Sequence, residues 1–319
     1  MSIKKGKEVV RMEAEAIQAL ENRIGKEFQK AVDILLACKG RVIVTGLGKS
    51  GLIGQKIAST MTSTGTAAIF LHAAEGMHGD LGAVLKNDVV ICISKSGTTK
   101  EILNLMPLLK RQTVKIISIT GNINSPMAKG SDVVLDASIS SEACPFDLVP
   151  TSSTTATLVL GDALALSLFQ ERGLSVEDFA RYHPGGDIGK KYFMKIDDVM
   201  RSSDDIAKVN KDTPIPETII EITSKRLGAT CIVDNNDSLI GIITDGDLRR
   251  QIEQKHDIWK LCAKDIMTPD PKCIKKGVLA VEALYVMEEY SINQLIVVEE
   301  NNTIAGMVHL HDLLKAGLA

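Results

Sequence analysis

The chain has 319 residues, enough for about two domains with cores of their own. Hydrophobic residues make up 45% and charged residues 24%, which excludes a disordered chain; a net charge of −3 and 3% aromatic residues supply neither the positive field nor the stacking platforms of a nucleic-acid binder. The cysteines, Cys38, Cys92, Cys144, Cys231, Cys262 and Cys273, are widely spaced with no C-x-x-C pair, which predicts free thiols in a reducing cytoplasm, without a disulfide framework or a zinc knuckle.

Residues 1–11 are charged and lack the apolar segment of a signal peptide. Over 8–38 apolar residues recur at three- and four-residue steps (Val9, Met12, Ala16, Leu20, Ile24, Phe28, Val32, Leu35), which predicts one long amphipathic helix ending at Gly40. Strands then follow at 41–45, 68–71, 88–94, 115–120 and 132–136, with helices near 51–63, 99–111 and 151–170. Runs such as Val89-Val90-Ile91-Cys92-Ile93 are continuous rather than alternating, as a strand covered on both faces requires, so this part is α/β with a doubly wound parallel sheet. The most apolar stretch, 157–169, is interrupted by Gly161 and Asp162 and reads as too short to cross a bilayer.

After Tyr192 two segments repeat. Asp198-Val199-Met200 returns as Asp265-Ile266-Met267, and Gly241-Ile242-Ile243-Thr244-Asp245-Gly246-Asp247-Leu248 returns as Gly306-Met307-Val308-His309-Leu310-His311-Asp312-Leu313. A first domain over 1–192 is therefore followed by a second over 193–319, built of two stacked copies, about 193–254 and 260–319. Each copy is read as a helix, two short strands and a closing helix.

The first strand runs into Gly46-Leu47-Gly48-Lys49-Ser50-Gly51, which satisfies G-x-G-x-x-G. A dinucleotide fingerprint also needs an acidic residue ending the second strand, where Leu71-His72 stands, and Ile43 occupies the place of a Walker A glycine. What remains is a turn that can receive an anion at a helix N-terminus, or a tight turn with a solvated Lys49. The third strand runs into Ser94-Lys95-Ser96-Gly97-Thr98-Thr99. One hydroxyl would suffice to cap the next helix; four make a set of donors for phosphate oxygens at the carboxyl end of a central strand.

These two turns, with His78-Gly79-Asp80-Leu81-Gly82, Cys144-Pro145 leading to Pro150-Thr151-Ser152-Ser153-Thr154, and Arg181-Tyr182-His183-Pro184-Gly185-Gly186, resemble the D-arabinose 5-phosphate isomerases. That family joins a sugar-isomerase (SIS) domain to a tandem pair of CBS repeats, and the resemblance covers nearly the whole chain. It implies interconversion of D-ribulose 5-phosphate and D-arabinose 5-phosphate, feeding 3-deoxy-D-manno-octulosonate synthesis for lipopolysaccharide or capsule. No cofactor or metal is expected, and the protein is expected to be a cytoplasmic homo-oligomer, a tetramer. By the same resemblance Lys49, His78, Glu101, Glu142 and His183 match active-site positions, and Ser50, Ser94, Ser96 and Thr99 match phosphate-cradling hydroxyls.

The residues themselves leave alternatives open. Glu101 stands in the first turn of a helix, where the dipole favours a carboxylate without catalytic duty. His78 can be a core histidine or a ligand, and His183, before proline and two glycines, is read as an acid or base serving ring opening or O1 and O2. Glu142 follows the last strand, where a structural reason is hard to find, and is the favoured base. His309-x-His311 reads as incidental rather than as a metal site. Thr244 with Asp247 has the spacing that holds a nucleotide ribose in CBS pairs, and the second copy offers His309 and Asp312. The pair is thus either a sensor of a nucleotide or nucleotide sugar, or an oligomerisation clamp without a ligand. Two competing functions remain at this stage, a non-catalytic sugar-phosphate sensor and an NAD-dependent dehydrogenase. The sensor lacks a helix-turn-helix output module in the N-terminal segment.

Overall fold

The computed structural model describes residues 2–202 and 205–318. Two compact units divide the chain, Met1–Tyr182 and His183–Ala319, the second beginning ahead of the 192/193 junction read from the sequence.

The first unit opens with two helices, α1 (Ser2–Glu21) and α2 (Lys26–Leu36), where one long helix was expected. The break falls at 22–25. Gly25 disfavours a helix interior by about 1 kcal/mol, and the Arg23 side chain turns away to the Ser138 carbonyl and to Asp136, 3.6 Å off. Both helices bury apolar residues, Ala16 and Leu20 on α1 and Phe28, Ala31, Val32 and Leu35 on α2, so the apolar period continues through the break and conceals it.

Then come β1 (Val42–Gly46), α3 (Gly48–Ser63), β2 (Ala68–His72), β3 (Val89–Ser94), α4 (Lys100–Arg111), β4 (Lys115–Thr120), α5 (Pro126–Lys129), β5 (Val133–Asp136), α6 (Ser152–Glu171) and α7 (Val176–Tyr182). The strands form one parallel sheet in the order β2-β1-β3-β4-β5. Alternate residues of β3 feed two cores. Val89, Ile91 and Ile93 pack with α2, α3 and α6, while Val90 and Cys92 pack with Ile102, Leu105 and Met106 of α4. Each such side chain withdrawn from water contributes roughly 2 kcal/mol, which is why every residue of β3 is apolar until Ser94. Burial pushes the Cys92 thiol up to about 12, so it serves as an inert apolar filler.

The stretch 157–169 belongs to the 20-residue α6, which by length and mean hydropathy does meet the requirement for a membrane span. In the fold it is a core helix. It packs on α1, α2 and α3 and buries Ala156, Leu160, Leu164, Ala165 and Leu168.

The second unit begins with α8 (Asp187–Phe193). Its first copy contains β6 (Arg201–Ser202), β7 (Lys208–Asn210), α9 (Ile215–Lys225), β8 (Ala229–Val233), β9 (Leu239–Thr244) and α10 (Asp245–Glu253). After α11 (Ala263–Ile266), the second contains β10 (Thr268–Pro269), β11 (Cys273–Lys275), α12 (Ala280–Tyr290), β12 (Gln294–Val298), β13 (Ile304–His309) and α13 (Leu310–Lys315). The helix, two strands and closing helix of each copy are present, with short leading strands that the repeat pattern did not reveal. Those leading strands are exchanged. The sheets run β10-β9-β8-β7 and β11-β12-β13-β6, so β6 joins the second copy's sheet and β10 the first's.

The exchange explains the repeated sequence. Met200 and Met267 lie over Gly306 and Gly241, the glycines that open the other repeated motif, and a Cβ at either glycine would meet a methionine sulfur at 2.6 Å. The small residue in one motif makes room for the large residue in the other.

Candidate active site

In this sheet β1 connects through α3 to β2 on one side, while β3 connects through α4 to β4 on the other. The chain thus reverses direction between the adjacent strands β1 and β3, and open α/β sheets bind ligands in the crevice outside the carboxyl ends of such strands. Both glycine-containing turns lie there, one after Gly46 and one after Ser94. Gly46 packs against the Ser50 carbonyl, leaving 3.1 Å for a Cβ, and Gly48 has φ +57, so the turn needs both glycines. Lys49 is exposed and Ser50 half-buried in the first turn of α3. Gly48, Lys49, Gly51, Leu52, Gln55 and His72 surround an open pocket of about 440 Å³.

The second turn sorts its hydroxyls into two sets. Ser94 is 3% exposed, accepts from the Gly97 N–H at 3.0 Å, and shares a hydrogen bond of 2.8 Å with Thr99. These two residues, expected to face a phosphate, tie the turn together. Ser96 is exposed, and its Oγ accepts from the Thr98 N–H at 3.2 Å and from the Thr98 hydroxyl at 2.9 Å. Gly97 has φ +63 and no room for a Cβ beside Ser125. Gly97→Ala is accordingly expected to cost about 2 kcal/mol in urea unfolding and to weaken competitive inhibition by inorganic phosphate. Unchanged values for both would mean that the turn does not depend on this conformation.

Glu142, in the loop after β5, is 1% exposed. Its Oε2 accepts from the Thr151 N–H at 2.8 Å, the Thr151 hydroxyl at 3.1 Å and the Ser153 N–H at 3.1 Å. Its Oε1 accepts from the Ser153 hydroxyl and, at 2.7 Å, from Lys95 Nζ. Burial alone would raise its pKa, but the hydrogen bonds from Lys95, Ser153 and the backbone at Thr151 and Ser153 outweigh it and bring the group from 4.5 down to about 2. Lys95, Thr151 and Ser153 were not singled out from the sequence. They lie in motifs quoted for other residues, and nothing in chain spacing pairs position 95 with 142.

The folded-state value lies below the ordinary one. The stabilisation from this carboxylate is therefore complete above pH 4.5 and is lost as pH falls toward about 2. Allowing for water around the exposed Lys95, it amounts to roughly 2 kcal/mol. The gap in unfolding free energy between wild type and Glu142→Gln is expected to narrow as pH falls from about 5 to about 2. A constant gap across that range would contradict the assignment.

The other expected residues are spread more widely. Glu101 is half-buried in the first turn of α4, and His78 is exposed at the end of the short 3-10 helix Glu75–His78. His183 opens the second unit, where it is half-buried and its carbonyl accepts from the Gly186 N–H at 3.1 Å.

Thr244 caps α10, and the Asp247 carboxylate accepts from its N–H at 2.8 Å and its hydroxyl at 2.6 Å. With Arg250, Asp270, Lys272 and Gln294 they border a pocket of about 600 Å³ formed by both copies. Asp312 faces Arg201 at 3.5 Å, and the His311 N–H donates to His309 Nδ1 at 3.0 Å. Among the described residues no three His, Cys, Asp or Glu side chains gather as a metal site.

Residues 35–167 match the SIS domain family, and residues 196–254 and 263–319 match the CBS domain family. The chain is 47% identical over 307 residues to arabinose 5-phosphate isomerase KdsD of Pseudomonas aeruginosa, covering 96% of this chain and 94% of that one. To the Escherichia coli K12 protein of the same name it is 46% identical over 313 residues, covering 98% and 95%. An Escherichia coli CFT073 protein solved in complex with arabinose 5-phosphate superimposes with a TM-score of 0.54 at 41% identity, covering 57% of this chain and 97% of that one.

Proposed function

The chain belongs to the arabinose 5-phosphate isomerase family and is an aldose–ketose isomerase of that kind, and we propose that the crevice between β1 and β3 is where it works. The observation carrying this reading is the convergence there of the Lys49 turn, the 94–99 turn and the Lys95–Glu142 pair.

The substrate phosphate is placed at the start of α4. There the exposed Ser96, the N–H groups of the helix start and Lys95 offer donors. Ser94 and Thr99 shape that cradle from beneath, and Ser50 donates from the neighbouring turn. Isomerisation removes the C2 proton of the open aldose, passes through an enediolate, and returns a proton to C1 as O1 becomes a hydroxyl and O2 a carbonyl.

Both oxygens of the Glu142 carboxylate already accept from Lys95, Thr151 and Ser153, which lowers its readiness to take a proton from carbon. We assign the proton transfer to Glu101 instead, and to Glu142 the positioning of Lys95 and of the loop entering α6. Lys49 stabilises the enediolate. His78 is assigned to the oxygens; His183, which opens the second unit, is proposed as an acid or base on the family resemblance alone. No metal or cofactor is required.

The CBS pair is proposed to take a nucleotide or nucleotide sugar in the pocket beside Thr244 and Asp247, as a report on demand for the octulosonate product. Arg250 and Lys272 there suit an anionic ligand. A cytoplasmic homotetramer is proposed as the working form; six free thiols accord with a reducing compartment.

The test is incubation of the purified chain with D-ribulose 5-phosphate, following the aldopentose phosphate, with glucose 6-phosphate as control. Selective formation of arabinose 5-phosphate is expected. Binding without turnover would favour the sensor, and equal turnover of the hexose would refute the substrate assignment.

A further inference from the structure

The two copies of the second unit follow one plan, so each has a cleft between the start of its closing helix and the leading strand received from the other copy. In the first copy that cleft is the pocket of about 600 Å³, with Thr244, Gly246 and Asp247 on one wall and Thr268, Asp270 and Lys272 on the other. The repeat sets His309, His311 and Asp312 where Thr244, Gly246 and Asp247 stand, and Arg201 where Thr268 stands. The strand register agrees. Thr268 pairs with Ile242 and Arg201 with Met307, the matching residues of β9 and β13.

The two clefts differ in what holds the aspartate. Asp247 takes its hydrogen bonds from its own turn and helix, from the Thr244 N–H and hydroxyl at 2.8 and 2.6 Å and from Arg250. The facing wall is left open, and Gly246 adds no side chain to the space between.

Asp312 lacks that support. His309 puts a ring in place of the hydroxyl, and its Nδ1 accepts from the His311 N–H at 3.0 Å. Asp312 Oδ2 is buried and finds no hydrogen-bond partner among the described residues. A buried carboxylate oxygen without a donor is costly unless a countercharge stands close, and the countercharge here is Arg201 Nε, 3.5 Å away on the exchanged strand. The guanidinium thus reaches across the second cleft, where the first has only the short side chain of Thr268.

The open cleft suits a nucleoside phosphate. Asp247 keeps lone pairs for a ribose diol, and Arg250 and Lys272 suit the phosphate. In the second cleft a ribose would have to part Asp312 from Arg201, and breaking a buried ion pair strands both charges.

We propose that the repeat pair binds one nucleoside phosphate per chain, beside Asp247, and that Arg201 bars the equivalent place beside Asp312. This rests on the nucleotide reading of the pocket and goes beyond it by fixing the number of sites and naming the residue that closes the second. Asp312 is then a partner of Arg201 and not of a ligand.

Isothermal titration of the full chain with AMP, CMP and UDP-glucose tests this. One molecule per chain is expected for whichever probe binds. Asp247→Asn is expected to weaken binding by at least about 10-fold, and Asp312→Asn to leave it within about 2-fold. Giving the second copy the residues of the first, by Arg201→Thr with His309→Thr and His311→Gly, is expected to raise the count to two per chain.

Two molecules per chain in wild type would overturn the proposal, and so would equal losses in Asp247→Asn and Asp312→Asn. A combined variant that is folded by circular dichroism and still binds one molecule would show that Arg201 does not bar the site, and would overturn it too. If the combined variant fails to fold, the wild-type count and the two aspartate variants decide. If wild type binds none of the three probes, the nucleotide reading falls and this inference with it; binding by wild type with the wrong count removes only the inference.

Discussion

Glu101→Gln is expected to lower kcat by about 1000-fold and to stop exchange of solvent deuterium into C1 or C2, while substrate binding survives. Glutamine keeps the size of the side chain and removes the proton acceptor. The matched variant Glu142→Gln is expected to retain detectable exchange while losing stability. Its amide would set an NH2 group against a site where Thr151, Ser153 and Lys95 all donate. The distinction follows from the surroundings of the two carboxylates. Those three residues donate to Glu142, and the proposal that Glu101 accepts the proton from carbon rests on that difference. Exchange that persists in Glu101→Gln and vanishes in Glu142→Gln would reverse the two roles.

Lys49→Ala is expected to lower kcat/KM for arabinose 5-phosphate by at least about 100-fold, the loss that follows removal of one preorganised group facing developing negative charge. The ammonium stands in the first turn of α3 and borders an open pocket. Lys49 is exposed and sits after the αL residue Gly48, so its loss leaves the core intact, and circular dichroism and melting temperature are expected to match wild type. Near-normal kinetics would reduce Lys49 to a residue of the turn.

Much of the first unit is legible from residues alone. The five strands lie within a residue or two of their expected positions, because a strand covered on both faces must be continuously apolar and is bounded by charge or glycine. The two glycine-containing turns are recognisable for the same local reason, since a positive φ or a close backbone approach demands glycine at particular positions.

What escapes the sequence depends on distant partners. The break between α1 and α2 is hidden because both helices bury apolar residues at the same period. The Lys95–Glu142 pair joins loops 47 positions apart in the chain. The turn's serines can be named as donors, but not divided into Ser94, which faces inward to Gly97, and Ser96, which faces out. Likewise Glu142 stands out as an unexplained acid in its loop, yet only the geometry shows how many donors converge on it.

The exchange of β6 and β10 has a consequence during synthesis of the chain. Residues 194–202 emerge early, but they bond to a sheet completed much later. The Ile196 N–H donates to the Val278 carbonyl, and Arg201 pairs with Met307. Until Ile304–His309 has left the ribosome, β6 has no strand to pair with. The first unit has all five strands of its sheet by residue 136, and α6 follows directly. The strand that β6 pairs with is the last strand of the second unit to be made.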